Sequence, residues 1–453
     1  MQQIDRTKAI HAEQAIIGAL LMDNESINNI ADMKEEYFFN AEHRAFFGEI
    51  YKQITAGKTA DAISIGAVLA DKIVDCMRYL IEIVNSTASA RQIKTHAEMV
   101  TECALRRSLA ALSSELQEIA TTSHESIYAI IDNAATRMEE LGQKKTRKDP
   151  VKFSDSLVDY VGVLERRMAG EIKPISTGHV DLDRRLGGGF ERGTLTVLAG
   201  RPAMGKSAVG LDFCRRVASE GFAAGFLSME MDVRQVNDRN IAAIGKIPID
   251  WLRLPTNDKK SATDDQNWAN LTFAMQKANE MKFYIDDETN LNMFDIRNKA
   301  RQIKRKNGLD LLVIDQLSFI TGGSKEKKTY ELIGEYTRGL IALSKQLDMA
   351  VILLCQLNRE CENRPNKRPQ MSDLALSGSI EQDAANIIFL YRDEVYNPNT
   401  QDKGICEFNI AKQRQGETGT VVMTYYGHQA RFEDYAGRWE PSKPVQKTKS
   451  GFE

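Results

Sequence analysis

The chain lacks any pattern of paired thiols. Its six cysteines (76, 103, 214, 355, 361 and 406) form no Cys-x-x-Cys and have no histidine at zinc-ligand spacing. This excludes a zinc-ribbon module and fits reduced thiols in a cytoplasmic protein. Charge of one sign is also lacking. The formal net charge is −3 over 453 residues, so there is no global basic field. Any nucleic acid must be held by local patches or by topology. Long hydrophobic runs are missing too. The longest strongly apolar stretch, Met349–Cys355, is far below the ~20 residues that span a bilayer. The first residues, Met1-Gln-Gln-Ile-Asp-Arg6, contain no signal-peptide apolar core. A soluble protein without membrane partners is expected.

What is present is enough apolar material, 42% of residues, for two or three domains with large cores. Residues 1–142 read as an all-α domain. Amphipathic segments run over His11–Leu21, Glu42–Ala56, Ile63–Ile73 and Met77–Val84. A longer one begins at a capping box, Ser89-x-x-Gln92, and another covers Glu125–Leu141 before Gly142. This domain carries no catalytic cluster, so packing and assembly are its expected work. Residues 143–170 read as a linker, with a basic stretch ending at Pro150 and then a helix over Ser154–Ala169. Leu157, Val161 and Leu164 share one side of that helix. Isolated between linkers, it has no face of its own domain to cover them, and docking on another subunit is expected. From 171 to 440 apolar strands alternate with helices, predicting an α/β domain with a mostly parallel central sheet. Residues 441–453 read as a disordered tail.

The chemistry concentrates in this second domain. Gly200-Arg-Pro-Ala-Met-Gly-Lys-Ser207 fits the phosphate-loop pattern, between a buried strand over Leu195–Ala199 and a helix over Ala208–Glu220. The backbone of Gly200, Arg201, Pro202, Ala203, Met204 and Gly205, with the helix N-terminus, is suited to cradle phosphate. Lys206 would neutralise the β/γ charge, and Ser207 would offer its hydroxyl to Mg²⁺. Asp315 closes the apolar strand Leu311–Ile314, where a carboxylate can reach the Mg²⁺ shell. Glu230 follows the strand Ala223–Ser228 and can polarise an attacking water. Its alternative is a first-turn helix carboxylate favoured by the dipole. Gln356 ends Val351–Cys355, placed to report the γ-phosphate. Lys412 and Arg414 are either cations supplied to a γ-phosphate, often by a neighbouring subunit, or surface residues of an edge strand. Two basic loops follow the Asp315 and Gln356 strands. One holds Lys325 and Lys327; the other, over 358–379, holds Arg359, Arg364, Lys367 and Arg368. If they face a channel, nucleotide state could move them against a nucleic-acid backbone.

In order along the chain, Leu227-Ser-Met-Glu-Met231, Val313-Ile-Asp315, Cys355-Gln-Leu-Asn-Arg359, Ser377-Gly-Ser-Ile-Glu-Gln-Asp-Ala384, Tyr391-Arg-Asp-Glu394 and Ile410-Ala-Lys-Gln-Arg414 accompany the phosphate loop. With Ala12-Glu-Gln-Ala-Ile-Ile-Gly18 and Arg44-Ala-Phe-Phe47, the chain resembles the DnaB-type replicative DNA helicases over nearly its whole length. The resemblance implies a homohexameric ring of RecA-like ATPase domains around single-stranded DNA. ATP with Mg²⁺ would sit at each subunit interface, and polarity would be 5′ to 3′. It gives Glu230 the water-activating role, Asp315 the Mg²⁺ role, and Lys412 with Arg414 the trans-acting role. The N-terminal domain would form a collar and meet primase or a helicase loader. Three departures stand out: Ala375-Leu376 replaces a usual charged pair in a DNA-contacting loop, Gln316 replaces a usual aromatic, and residues 70–78 are shortened. The backbone amides at Ser377 and Gly378 remain suited to phosphates. Such departures fit a divergent member, for instance one carried by a phage or prophage. Two rivals stand beside this reading: a filament-forming strand-exchange ATPase and a loader or scaffolding ATPase that does not unwind.

Overall fold

The computed structural model describes residues 3–122, positions 130, 134, 137 and 138, and residues 151–255, 262–316, 329–374 and 377–440. The chain divides into two compact units, Met1–Pro150 and Val151–Glu453.

The first unit is helical throughout its described part. Helices cover Gln3–Met22, Ala41–Thr55, Ala62–Leu69, Cys76–Ser86 and Ile93–Thr122. Ile16, Ile17, Leu20, Phe46, Phe47 and Ile50 are buried at helical spacing and form one core with Leu80, Ile83 and Val100. Inside it the fully buried His43 bridges Glu13 at 2.8 Å and the Tyr79 hydroxyl at 2.8 Å. The expected capping box at Ser89 does not form. The Ser89 hydroxyl accepts from the Arg91 amide, and a short 3₁₀ turn over Ala90–Gln92 precedes the long helix. A reciprocal box is found instead at Asp61 and Ser64. The helix expected over Glu125–Leu141 lies largely outside the described residues, as do the basic linker stretch and residues 441–453.

The second unit is built on a nine-stranded sheet. Its strands are β1 (Leu195–Gly200), β2 (Ala224–Ser228), β3 (Phe283–Asp286), β4 (Leu311–Asp315), β5 (Ala350–Gln356), β6 (Asn386–Tyr391), β7 (Ile405–Gln413), β8 (Gly419–Tyr426) and β9 (Arg431–Asp434). They lie in the order β3-β2-β4-β5-β1-β6-β7-β8-β9. Pairing is parallel from β3 through β6 and antiparallel from β6 to β9. The central strands are unbroken apolar runs because helices cover both faces of a parallel sheet. Successive residues alternate between two cores. Leu198, Val313, Ile352 and Ile388 face one, while Val197, Ile314, Leu353 and Phe389 face the other. β9 is one strand more than the sequence pattern reveals.

The helix Phe153–Met168 carries no buried residue. Phe153, Leu157, Val158, Val161 and Leu164 are all exposed, so the expected apolar side exists and is uncovered. Among the described residues, no helix is long and apolar enough to cross a membrane.

Candidate nucleotide site

β1 ends at Gly200 and the chain turns through the loop into the helix Lys206–Ser219. The turn needs left-handed backbone at Ala203 (φ 65°) and at Gly205 (φ 96°), and glycine meets the second demand without strain. Gly205 caps the helix with no side-chain acceptor, so the first-turn amides remain open to an anion. The Lys206 ammonium folds back onto the loop, donating to the Gly200 carbonyl at 2.9 Å and the Arg201 carbonyl at 3.4 Å. Burial lowers its pKa, while the nearby Asp315 and Glu230 carboxylates oppose that shift.

The parallel register carries the other groups to the same edge. Gly200 pairs with Gln356 across β1 and β5, and Ser228 pairs with Asp315 across β2 and β4. The Met229 amide donates to the Asp315 carbonyl at 2.8 Å, fixing the strand ends that carry Glu230 and Asp315. Both carboxylate oxygens of Asp315 are buried without a hydrogen-bond partner. Burial is the largest influence on this carboxyl and, with the Glu230 charge, outweighs the lowering by the Ser207 hydroxyl, Lys206 and Arg239, so that its pKa is pushed up to about 6.

A buried polar group without a partner is costly, and such groups mark sites where something else completes the set. A magnesium nucleotide fits here. Among the described residues, no group of three or more His, Cys, Asp or Glu is placed to hold a metal. Mg²⁺ is bound by one or two protein oxygens plus phosphates and water rather than by an all-protein cage, and Asp315 with Ser207 offers that minimal set.

The cleft over these groups encloses about 570 Å³, within the range of small-ligand sites. It is lined by Pro202, Ala203, Gly205, Lys206, Ser207, Glu230 and Gln356, so the residues anticipated from the ends of β2 and β5 and from the loop converge, whereas Asp315 is buried and does not line the cleft, where its neighbour Gln316 appears instead. Met204 is buried beneath the loop, and Arg201 is buried with its guanidinium on Glu362 and on the Leu357 carbonyl. Neither lines the cleft. Its far wall holds residues that the sequence did not single out: Arg239, Asp250 and Arg253 on the helices Val233–Gly245 and Ile249–Arg253, with Tyr425 and His428 from β8 and the turn after it. Arg392 supports the loop from the end of β6, donating to the Ala203 carbonyl at 2.9 Å and stacking on Tyr425 at 4.3 Å. These residues are scattered along the chain and share no motif. The only local signal is the Asp232 N-cap, whose carboxylate accepts from Gln235 and marks the start of the helix that carries Arg239.

Lys412 and Arg414 do not line this cleft. They lie at the C-terminal end of the short helix Ser377–Asp383, where Lys412 donates to the Glu381 carbonyl and Arg414 to the Asp383 carbonyl at 3.1 Å. Of the residues expected at DNA, Lys325 and Lys327 lie outside the described residues. Arg364 and Arg368 are both paired with carboxylates of their own chain. Arg364 is bidentate on Asp373 at 3.0 and 2.5 Å, and Arg368 is bidentate on Glu407 at 2.7 Å to each oxygen. Both carboxylates are buried, and a guanidinium whose fork is filled in this way has fewer donors to offer a phosphate. The Lys367 ammonium sits over the Tyr396 ring at 4.5 Å. Ser377 opens its helix, and Gly378 is exposed with open space around it.

Two family profiles match in chain order: the DnaB-like helicase N terminal domain over residues 5–102 and the DnaB-like helicase C terminal domain over residues 174–434. The replicative DNA helicase DnaB of Geobacillus stearothermophilus is 33% identical over 447 residues, covering 96% of each chain. The replicative DNA helicase DnaC of Bacillus subtilis is 31% identical, covering 95% of each. A solved DnaB-like replicative helicase, described with its interactions with primase, superposes with a TM-score of 0.72 at 28% identity, over 94% of this chain and 99% of that one. The second unit is therefore a RecA-like ATPase fold, and it follows a helical N-terminal domain in the sequence. Taken with the phosphate loop and its convergent carboxylates, these matches show that the chain belongs to the DnaB-like replicative DNA helicases, an ATP-hydrolysing family.

Proposed function

We propose that this chain assembles into a homohexameric ring on single-stranded DNA and hydrolyses ATP at the seams between its copies to unwind forked duplex DNA, in the 5′ to 3′ direction. The observation that carries the site is Asp315, a buried carboxylate with two unpartnered oxygens beside Lys206 and Ser207. Ser207 and Asp315 hold the metal side of the nucleotide, and Lys206 leaves its loop carbonyls for the β/γ oxygens. Mg²⁺ held there would supply positive charge to offset that on the transferring phosphoryl group. Glu230, exposed at the cleft, orients and polarises water. Gln356 lies beside the γ-phosphate position.

Assembly is supported by two features of this chain. Its own trans-acting candidates, Lys412 and Arg414, lie outside its cleft, on the carbonyls ending the helix Ser377–Asp383. The helix Phe153–Met168 presents an apolar stripe that a second copy would cover. In this reading residues 143–170 form the linker and its docking helix. The N-terminal domain forms the collar and the contact for primase and a loader, in the cytoplasm. With Arg364 and Arg368 occupied, DNA contact falls to Lys325, Lys327, Lys367 and the amides at Ser377 and Gly378. Lys206→Ala should abolish unwinding of a fork labelled on one strand. Wild-type unwinding by that variant would overturn the proposal.

A further inference from the structure

Arg201 sits inside the phosphate loop, yet its side chain turns away from the cleft. It is buried, with one guanidinium nitrogen donating to the Leu357 carbonyl at 2.7 Å and another to Glu362 Oε1 at 2.7 Å. Leu357 directly follows Gln356. Its amide donates to the Gly200 carbonyl at 3.4 Å. The segment beyond is tied to itself: Asn358 donates to the Asp373 carbonyl, Leu357 bridges Leu374, and Asp373 receives Arg364 on both oxygens. Residues 357–374 are thus closed on themselves, held to β7 by Arg368 on Glu407, and joined to the phosphate loop through Gly200 and Arg201.

The same two residues hold Lys206, whose ammonium rests on the carbonyls of Gly200 and Arg201. A phosphate in the cleft competes for that ammonium and strips a cation from both carbonyls at once. The two backbone groups that feel nucleotide most directly therefore belong to the residues that grip the 357–374 unit. A fully exposed ion pair would transmit little, but here the guanidinium side chain is 9% exposed and the Glu362 side chain 36%. The second, backbone bond removes the freedom that makes surface pairs weak.

We infer that Arg201 is a positioning residue: it straps the 357–374 unit to the phosphate loop, so that nucleotide occupancy is passed to that unit. This rests on the nucleotide-site reading above and extends it, because it gives one member of the loop a mechanical rather than a phosphate-binding role. The Tyr396 hydroxyl, 3.4 Å from Glu362, is a weaker second hold on the carboxylate and serves as the control.

The test is hydrogen–deuterium exchange of peptides within 357–374 in the full chain, with and without Mg²⁺ and a slowly hydrolysed ATP analogue. Binding of a fluorescent ADP is measured in parallel. Allosteric coupling spans roughly 5- to 150-fold, so wild-type exchange should change by at least about fivefold on nucleotide addition. In Glu362→Gln the response should fall below about twofold, while fluorescent-ADP affinity stays within about threefold. Tyr396→Phe should respond like wild type. Glu362→Ala removes the same acceptor outside the nucleotide site, so it should match Glu362→Gln and stands in if that variant does not fold. A full nucleotide response in both variants overturns the strap and leaves the nucleotide site intact. Wild-type protein that binds the analogue with no change in 357–374 also overturns it. Absence of any nucleotide binding overturns the site itself.

Discussion

Replacing Arg414 by alanine separates the role of that cation in folding from its role in turnover, because the two differ greatly in size. In its own chain Arg414 is exposed, and its guanidinium donates to the carbonyls of Gln382 and Asp383, at 3.3 and 3.1 Å. A cation on the last carbonyls of an exposed helix contributes about 0.3–1 kcal/mol. Its loss should shift the thermal midpoint of the ATPase unit by no more than a few degrees. A cation delivered to a transferring γ-phosphoryl group is worth roughly 10³–10⁵ in turnover. At about 1.4 kcal/mol per decade that is roughly 4–7 kcal/mol of barrier. Arg414→Ala should therefore bind fluorescent ADP normally, melt nearly as wild type, and turn over ATP at least a thousandfold more slowly. The site of action follows from mixing. Combined in equal amounts with Glu230→Gln, it should recover turnover, since roughly a quarter of head-to-tail interfaces in a random ring would then hold an intact Glu230 facing an intact Arg414. Turnover by Arg414→Ala within tenfold of wild type would refute the reasoning. So would mixed rings that show no recovery.

Asp315→Asn should raise the thermal midpoint of nucleotide-free protein, by the equivalent of about 1–2 kcal/mol, because it removes a buried charge whose oxygens have no partner. The same variant should lose the further rise that Mg²⁺ with nucleotide gives wild type, both read by calorimetry; a lower nucleotide-free midpoint contradicts this. His179 is buried between Asp212 at 2.9 Å and Asp434 at 2.8 Å. Burial lowers its pKa, but the hydrogen bonds to the two carboxylates outweigh that, and the net shift is upward from 6.5. Its stabilisation is fully present below about pH 6.5 and is lost as pH rises through the higher folded value. Urea midpoints should therefore decline across that window in wild type but not in His179→Gln, which should be roughly 1.5–3 kcal/mol less stable at pH 6. Equal slopes for the two proteins would exclude a charged His179.

Much of this was legible because it is local. Continuous apolar runs announced β1, β2, β4, β5 and β6, and parallel strands end on one edge, so Asp315, Glu230 and Gln356 could be brought to the phosphate loop without a structure. β9 was hidden because Arg431-Phe-Glu-Asp434 buries only Phe432 and has no run to recognise. Arg239, Asp250, Tyr425 and His428 come from separate segments and meet only through tertiary packing. The charge of Arg364 and Arg368 was visible but its destination was not. A basic loop reads the same whether it is solvated or folded onto Asp373 and Glu407. The Ser89 box failed for a related reason: the hydroxyl found a nearer amide, at Arg91, before the long helix began.

The most direct test is specific ATP turnover followed against protein concentration, with assembly state read by light scattering in the same samples. Turnover per chain should collapse as rings dissociate and should return when they reform, because each cleft lacks the cations that its own chain carries elsewhere. Isolated monomers that hydrolyse ATP at the full assembled rate would contradict the account.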